Sequence, residues 1–260
     1  MTTIQINSII KVGDQQFQAN LKAPIDISAP LHSGPNNIHA WYVGDVSFKA
    51  VENEHWIGDV NRGGAVNFRD IYFNPHGHGT HTECVGHISK ENYTINQCLK
   101  EFFFLAQLVT IKPQTINDDQ VITLAQVQQL NIEQHTQALV IRTMPNTEAK
   151  LTQNYSAKNP PYMQAEAVAH LVNAGINHLL VDLPSLDREQ DEGKLAAHHV
   201  FWNYPQQTQS HRTITEFVYV PNDIEDALYL LNLQISPFEN DAAPSKPLLF
   251  KLYHCDLDTV

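Results

Sequence analysis

The stretch His76-Gly77-His78-Gly79-Thr80-His81-Thr82-Glu83 decides how the rest of this chain is read. Fourteen histidines spread evenly over 260 residues would fall about one in every 18 or 19, yet His76, His78, His81 and His87 crowd into twelve positions. Imidazole nitrogens and carboxylate oxygens are suitable ligands for zinc, manganese or iron. Glu83 stands two positions from His81, so an extended chain puts both side chains on one face. Gly77 and Gly79 place no side chains between the histidines, so the backbone can wrap closely around an ion while Thr80 bonds locally. The plainer reading is a polar surface turn, because isolated histidines are usually not ligands. The carboxylate inside the cluster favours a metal cradle.

Outward from this stretch, the chain alternates strand and helix. Apolar runs at 106–111 and 138–143 flank a helix whose start, Thr123-Leu124-Ala125-Gln126, has the spacing of a capping box. Met163, Ala167, Val168, Leu171 and Val172 mark one face of a second helix, Gly175 stops it, and residues 176–183 supply the next strand. Such alternation predicts an α/β protein. Ile4, Ile6, Ile9 and Val12, broken by Gly13-Asp14, form a short strand and turn, and Pro24-Ile25-Asp26-Ile27-Ser28 is a second extended piece. Residues 30–70 read as loop-rich. Further strands are expected at 213–220 and 248–253, with a short acidic helix over 223–231 between them. No repeat or low-complexity tract divides the chain, so a single domain over residues 1–260 is expected.

Composition narrows the function classes. A net charge of −12 argues against nucleic-acid and anionic-membrane partners, both of which need a basic footprint. No apolar run approaches the roughly 20 residues that span a bilayer, and residues 1–11 lack a basic start with an apolar core. Cys84, Cys98 and Cys255 form no Cys-x-x-Cys pair, so neither a disulfide framework nor a thiolate zinc site is expected. A reducing, cytoplasmic setting fits best.

Beyond the cluster, Glu216 alternates with Ile214, Val218 and Val220 on one strand face, which sets a carboxylate among apolar side chains. A buried carboxylate needs a cation or hydrogen bonds, since its desolvation costs several kcal/mol. Metal ligation meets that need; the alternatives are a pair with Arg212, or reversed faces that bury Phe217 and Tyr219. His198 and His199 sit in a helical stretch over 195–202, where only one of two neighbours can face a given point. Cys84 as nucleophile is the weaker reading beside packing, and Ser185 lacks a Gly-x-Ser-x-Gly turn. Trp41, Trp56, Phe201 and Trp202 are candidates for an aryl pocket, with ordinary core as the equal alternative.

Gly79-Thr80-His81-Thr82-Glu83 followed by His87 resembles the signature of the cyclase family, which includes bacterial kynurenine formamidases and isatin hydrolases and runs His-x-Gly-Thr-His-x-Asp-x-Pro-x-His. The resemblance extends through residues 24–28, through Val181-Asp182-Leu183-Pro184-Ser185-Leu186-Asp187, and through Ala197-His198 with Thr215-Glu216. It implies metal ligation by His81, Glu83, His198 and Glu216, with His198 preferred over His199, and an acid or base role for His87. Three departures stand out. Gly77 occupies the place of the first metal-binding histidine, so either His76 or His78 supplies an imidazole by another loop path, or one of two family metal sites is lost. Glu83 stands for the usual Asp and Val85 for the usual Pro. Residues 203–212 resemble an insertion between His198 and Glu216.

The resemblance further implies a swivelling β/β/α fold with a mixed sheet flanked by helices, a divalent cation (zinc first, manganese as the alternative) and a homodimer. The expected activity is hydrolysis of an amide bond in a small-molecule substrate. An aryl formamide such as N-formylkynurenine is the leading substrate, and a cyclic amide such as isatin, or a lactone, is the alternative. A catalytically inactive metal- or ligand-binding member is the rival from another class.

Overall fold

The computed structural model describes residues 6–255. Ile4, assigned to the opening strand, lies outside them. β1 (Asn7–Val12) and β2 (Gln15–Asn20) form a hairpin around Gly13-Asp14, followed by the short β3 (Ile25–Asp26). The segment expected to be loop carries two small ribbons: of β4 (Ser47–Ala50), β5 (Glu52–Asn53), β6 (Trp56–Ile57) and β7 (Arg69–Tyr72), β4 pairs with β7 and β5 with β6. The histidine stretch then enters β8 (His81–Glu83), and α1 (Ile95–Cys98) leads to β9 (Phe103–Ile111). Next come β10 (Gln114–Ile116), β11 (Asp119–Ile122), α2 (Leu124–Gln128), β12 (Ala138–Thr143), β13 (Tyr162–Met163), α3 (Ala165–Asn173) and β14 (His178–Val181). The chain closes with α4 (Ala196–Trp202), β15 (Thr213–Glu216), β16 (Leu228–Ile235) and β17 (Ala242–His254).

The main sheet is mixed and closes on itself. β9, β12, β14 and β15 run parallel, as the strand–helix–strand alternation predicts, while β16 and β17 add antiparallel. β8 pairs on one side with β15 and on the other with β17, which completes the ring. Alternate residues of each strand therefore face two different cores. Ala106, Leu108, Val140, Leu180 and Leu231 fill one. Val109, Leu139, Ile141, Leu179, Val181 and Ile214 face outward, where α3 and α4 cover them with Val168, Leu171, Ala197, Phe201 and Trp202. Each such aliphatic side chain, fully buried, contributes roughly 1.5–3 kcal/mol.

Local chemistry sets the helix ends. Thr123 and Gln126 form the expected capping box on α2, and α3 ends before Gly175, whose φ of +95° only glycine adopts without strain.

Two expected elements are corrected. No acidic helix occupies 223–231; Asp223, Glu225 and Asp226 lie in a turn, and the following leucines belong to β16. β16 lies between β17 and β9 and is buried on both faces, so its apolar residues run without the alternation that marks a half-exposed strand. The strand expected over 213–220 stops at Glu216, because Phe217 adopts φ +57°. That left-handed residue breaks the alternation and lets Glu216 and Phe217 both be buried, so the choice between the two faces dissolves.

Candidate metal centre

Sheet register builds the site. In the ring, His81 stands opposite Glu216, and Glu83 opposite Ile214. Cross-strand partners share a face, and Ile214 faces the helices, so His81, Glu83 and Glu216 all emerge beneath α4. Thr82 points to the other side, 2.8 Å from the hydroxyl of Thr215. Thr80 anchors the entry to β8: its hydroxyl donates to the Phe217 carbonyl and accepts from the Ala29 amide.

His198 reaches the same point from α4. Asp187 receives the Ala197 and His198 amides at 2.8 and 3.1 Å, thereby capping the helix start, and also lies 2.6 Å from His198 Nδ1. One carboxylate thus fixes both the helix and the ring, leaving His198 Nε2 3.1 Å from Glu83 Oε1 and 3.8 Å from Glu216 Oε1. His81 is set by the Gly79 carbonyl, 3.1 Å from its Nδ1, so Nε2 faces Glu216 Oε2 at 3.3 Å. His76 arrives from the loop, with Nδ1 3.1 Å from Glu83 Oε2 and Nε2 2.7 Å from Asp241 Oδ2. His87 completes the group, its Nδ1 lying 3.4 Å from Asp241 Oδ2 and 3.8 Å from Glu83 Oε2.

Arg212 takes no part: it donates to the Phe201 carbonyl, so the alternative of a Glu216–Arg212 pair is not realised. His199 Nδ1 bonds the Tyr204 carbonyl instead of turning to the cluster. Cys84 is buried with its thiol toward the Tyr93 carbonyl, and contact with Cys98 together with burial pushes that thiol up, away from nucleophilic form. Ser185 receives the Asp187 amide.

Three other candidates lie apart from the centre. His78 accepts the Asn74 amide at Nδ1 and turns Nε2 to the Gly44 carbonyl, so it braces the loop and is not among the groups that converge. Trp56 sits on β6, edge-on to Phe68, outside the cavity. Trp202 is fully buried, donating its indole N–H to the Arg212 carbonyl behind His198. Of the tryptophans named from sequence, Trp41 alone lines the cavity.

The electrostatics call for positive charge. Burial opposes protonation of His76 and His198, but the carboxylates bonded to them outweigh it and push both up to about 10. Burial also opposes the charge on Glu83, yet His87, His198 and His76 hold it well below the usual carboxylate range. Glu216 goes the other way, raised by burial and by the charge of Glu83. Even so, the buried atoms His81 Nε2, Glu83 Oε2 and Glu216 Oε1 have no hydrogen-bond partner. Orphaned buried groups are costly, and a cation beside them removes that cost. In the triads His76–His81–Glu83, His76–His87–Asp241 and Glu83–His87–His198 the ligating atoms lie within 4.8 Å of one another. This nitrogen and oxygen donor set fits a divalent ion and can bind one.

The centre opens into a cavity of about 340 Å³ walled by Trp41, Val43 and Leu195, with Arg188, Glu189 and Asp191 at its rim. A larger, more open groove of about 850 Å³ lies against β1. Size does not select between them. Among the described residues, ligating groups converge only on the smaller one.

A family profile described as "Putative cyclase" matches residues 25–188, more than half of the chain. The chain belongs to the cyclase family. The match contains His76, His81, Glu83, His87 and Asp187, while His198, Glu216 and Asp241 lie beyond it. No curated protein sequence compared with the chain matches it significantly. Among solved structures, isatin hydrolase A from Labrenzia aggregata is similar with a TM-score of 0.64 at 14% identity, over 88% of this chain and 93% of that one. A protein described as a potential metal-dependent hydrolase with cyclase activity gives 0.63 at 16%, over 88% and 97%. A protein from Bacillus stearothermophilus described as a predicted metal-dependent hydrolase gives 0.59 at 18%, over 88% and 98%. At such identities the likeness establishes the cyclase fold, with its mixed sheet and helices, and no more.

Asp241 was missed from sequence. It precedes β17 in a polar turn, far along the chain from the histidines, and no spacing rule ties it to them. Asp187 belongs to the stretch that resembles the family motif, and its sequence context assigns it no role.

Proposed function

We propose that this cyclase-family chain is a metal-dependent hydrolase of a small-molecule amide, an aryl formamide such as N-formylkynurenine first, yielding the amine and formate. One observation carries the reading: three orphaned ligating atoms from β8 and β15 meet His76 and His198 at the floor of a cavity, with His87 at its side. His76, His81, Glu83, His198 and Glu216 would hold the ion, zinc or manganese. When bound, a divalent cation supplies Lewis-acid polarisation of a carbonyl and makes water more acidic.

The protein's own groups do the rest. His87 is about one-third exposed, and only its Nδ1 is engaged, by Asp241 and Glu83. Its other nitrogen is therefore available to take a proton from the attacking water and pass it to the departing nitrogen, a transfer that an anilide needs in order to leave. Trp41 offers a face for an aryl ring, and the charges of Arg188, Glu189 and Asp191 suit an amino-acid end. A cyclic amide is the second reading, favoured by the fold shared with isatin hydrolases. Part of the same proposal is a homodimer, supported by β7, whose Ile71 and Tyr72 are both well exposed. No helix among the described residues is long and apolar enough to cross a membrane.

The test is elemental analysis of untagged protein, then absorbance assays on formylated anilines and on isatin, with and without chelator. Chelator-sensitive turnover is expected, with His87→Ala lowering kcat by about 10²–10⁴-fold while metal is retained. Loss of metal in His87→Ala would make His87 a ligand instead. Stoichiometric metal without turnover on any amide or lactone would leave a binding protein.

A further inference from the structure

Two carboxylate–histidine pairs flank Glu83. On one side Asp187 lies 2.6 Å from His198 Nδ1, and the far nitrogen of that ring is 3.1 Å from Glu83 Oε1. On the other, Asp241 lies 2.7 Å from His76 Nε2, and the far nitrogen is 3.1 Å from Glu83 Oε2. Resting on the metal-dependent reading of this site, we infer that Asp241 is the positioning residue of a second carboxylate–histidine pair, which presents His76 Nδ1 to the cation as the counterpart of Asp187 and His198.

The loop leaves this role to His76. A Cβ at Gly77 would stand 2.7 Å from Val43 Cγ1 and 3.3 Å from the Ala40 carbonyl, so a side chain there would have to displace Val43. His78 is committed to Asn74 and Gly44. His76 is free to turn inward, but it sits on a loop, and a ring on a loop needs a second anchor. Asp241 supplies it from the start of β17, and its backbone carbonyl accepts the Cys84 amide at 3.0 Å, so β8 and β17 hold the acid and Glu83 in fixed relation. A ligating histidine ordinarily gives its second nitrogen to such an acceptor, which fixes tautomer and orientation and raises basicity. Asp241 Oδ2 also lies 3.4 Å from His87 Nδ1, so the same acid steadies the proton carrier.

The test is calorimetric titration of the metal-stripped full chain with Mn²⁺ and with Zn²⁺, in wild type, Asp241→Asn, His76→Ala, the double variant and Asp187→Asn. Asp241→Asn is expected to weaken binding about 10- to 100-fold, as is Asp187→Asn. Combined with His76→Ala, Asp241→Asn should add little, because the acid acts through that ring. The visible spectrum of the Co²⁺-loaded protein should change in Asp241→Asn and in His76→Ala, a signal that a purely structural role would not move. Should Asp241→Asn fail to fold by circular dichroism, Asp241→Ser removes the carboxylate by a second route. Wild-type affinity in Asp241→Asn, or full additivity in the double variant, overturns the inference and leaves the metal site standing. A wild-type chain that binds neither ion overturns both.

Discussion

Asp182 and Glu83 are equally hidden, each 1% exposed, yet their surroundings differ in kind. Asp182 is complete: Oδ1 receives the Thr143 hydroxyl, and Oδ2 receives the Thr143 amide and the Lys150 ammonium, at 2.7–2.8 Å. Glu83 is surrounded by histidines, and its Oε2 has no aligned partner. Burial of a carboxylate therefore does not mark a functional site. What separates the two is whether the protein itself fills their hydrogen-bonding capacity: both Asp182 oxygens have aligned donors, Lys150 among them, whereas the centre around Glu83 leaves buried ligating atoms without one, open to an added cation.

That contrast is sharpest in Lys150→Met. It strands Asp182 without its cation, and breaking a buried pair costs about 3–5 kcal/mol, so the denaturant midpoint should fall steeply while metal per folded chain stays unchanged. Glu83→Gln should do the reverse. Direct donors should cost more than the outer partners, hence more than about a hundredfold in affinity by calorimetry, or about 2.7 kcal/mol. If Glu83→Gln keeps its metal, Glu83 is no ligand and differs from Asp182 only in its neighbours.

Imidazoles divide in the same way. His198 is pushed up to about 10 by its acids, but His178, packed on Phe104 and bonded to Thr213, is pushed down to about 3 by burial and by His211. The folded chain thus resists protonating His178 while the unfolded chain takes up that proton near pH 6.5. His178 therefore lowers stability as pH falls below about 6.5, and the loss continues until about 3. Between pH 7 and 5 the loss amounts to about 2 kcal/mol, seen as a smaller pH dependence of the urea midpoint in His178→Gln. The smallest effect belongs to the reverse face of β8. Thr82→Val removes one neutral hydrogen bond and leaves Thr215 without it, a cost of about 1 kcal/mol, with metal affinity unchanged. A change in affinity there would mean that the two faces of the strand are coupled.

The metal-cradle reading drew on local facts. His81 and Glu83 share a face because a strand has a period of two, and His81-Thr82-Glu83 carries its donors at that spacing wherever the strand lies. The α2 capping box and the stop at Gly175 are equally local. β16 was misread because a strand covered on both faces shows no alternation, and apolar runs then look alike in helix and sheet. Phe217 was ambiguous because a left-handed residue resets which face comes next.

The sequence by itself determined the donor chemistry, the strand–helix alternation and the acidic balance of the chain, since these depend on residue identity and near-neighbour spacing. Tertiary structure alone decided that His76 and not His78 turns inward, that Asp187 holds His198, and that Asp241 joins from the start of the last strand. The reason is ring closure: β8 meets β15 and β17 only when the sheet bends round, and that pairing brings residues 76, 198, 216 and 241 to one point.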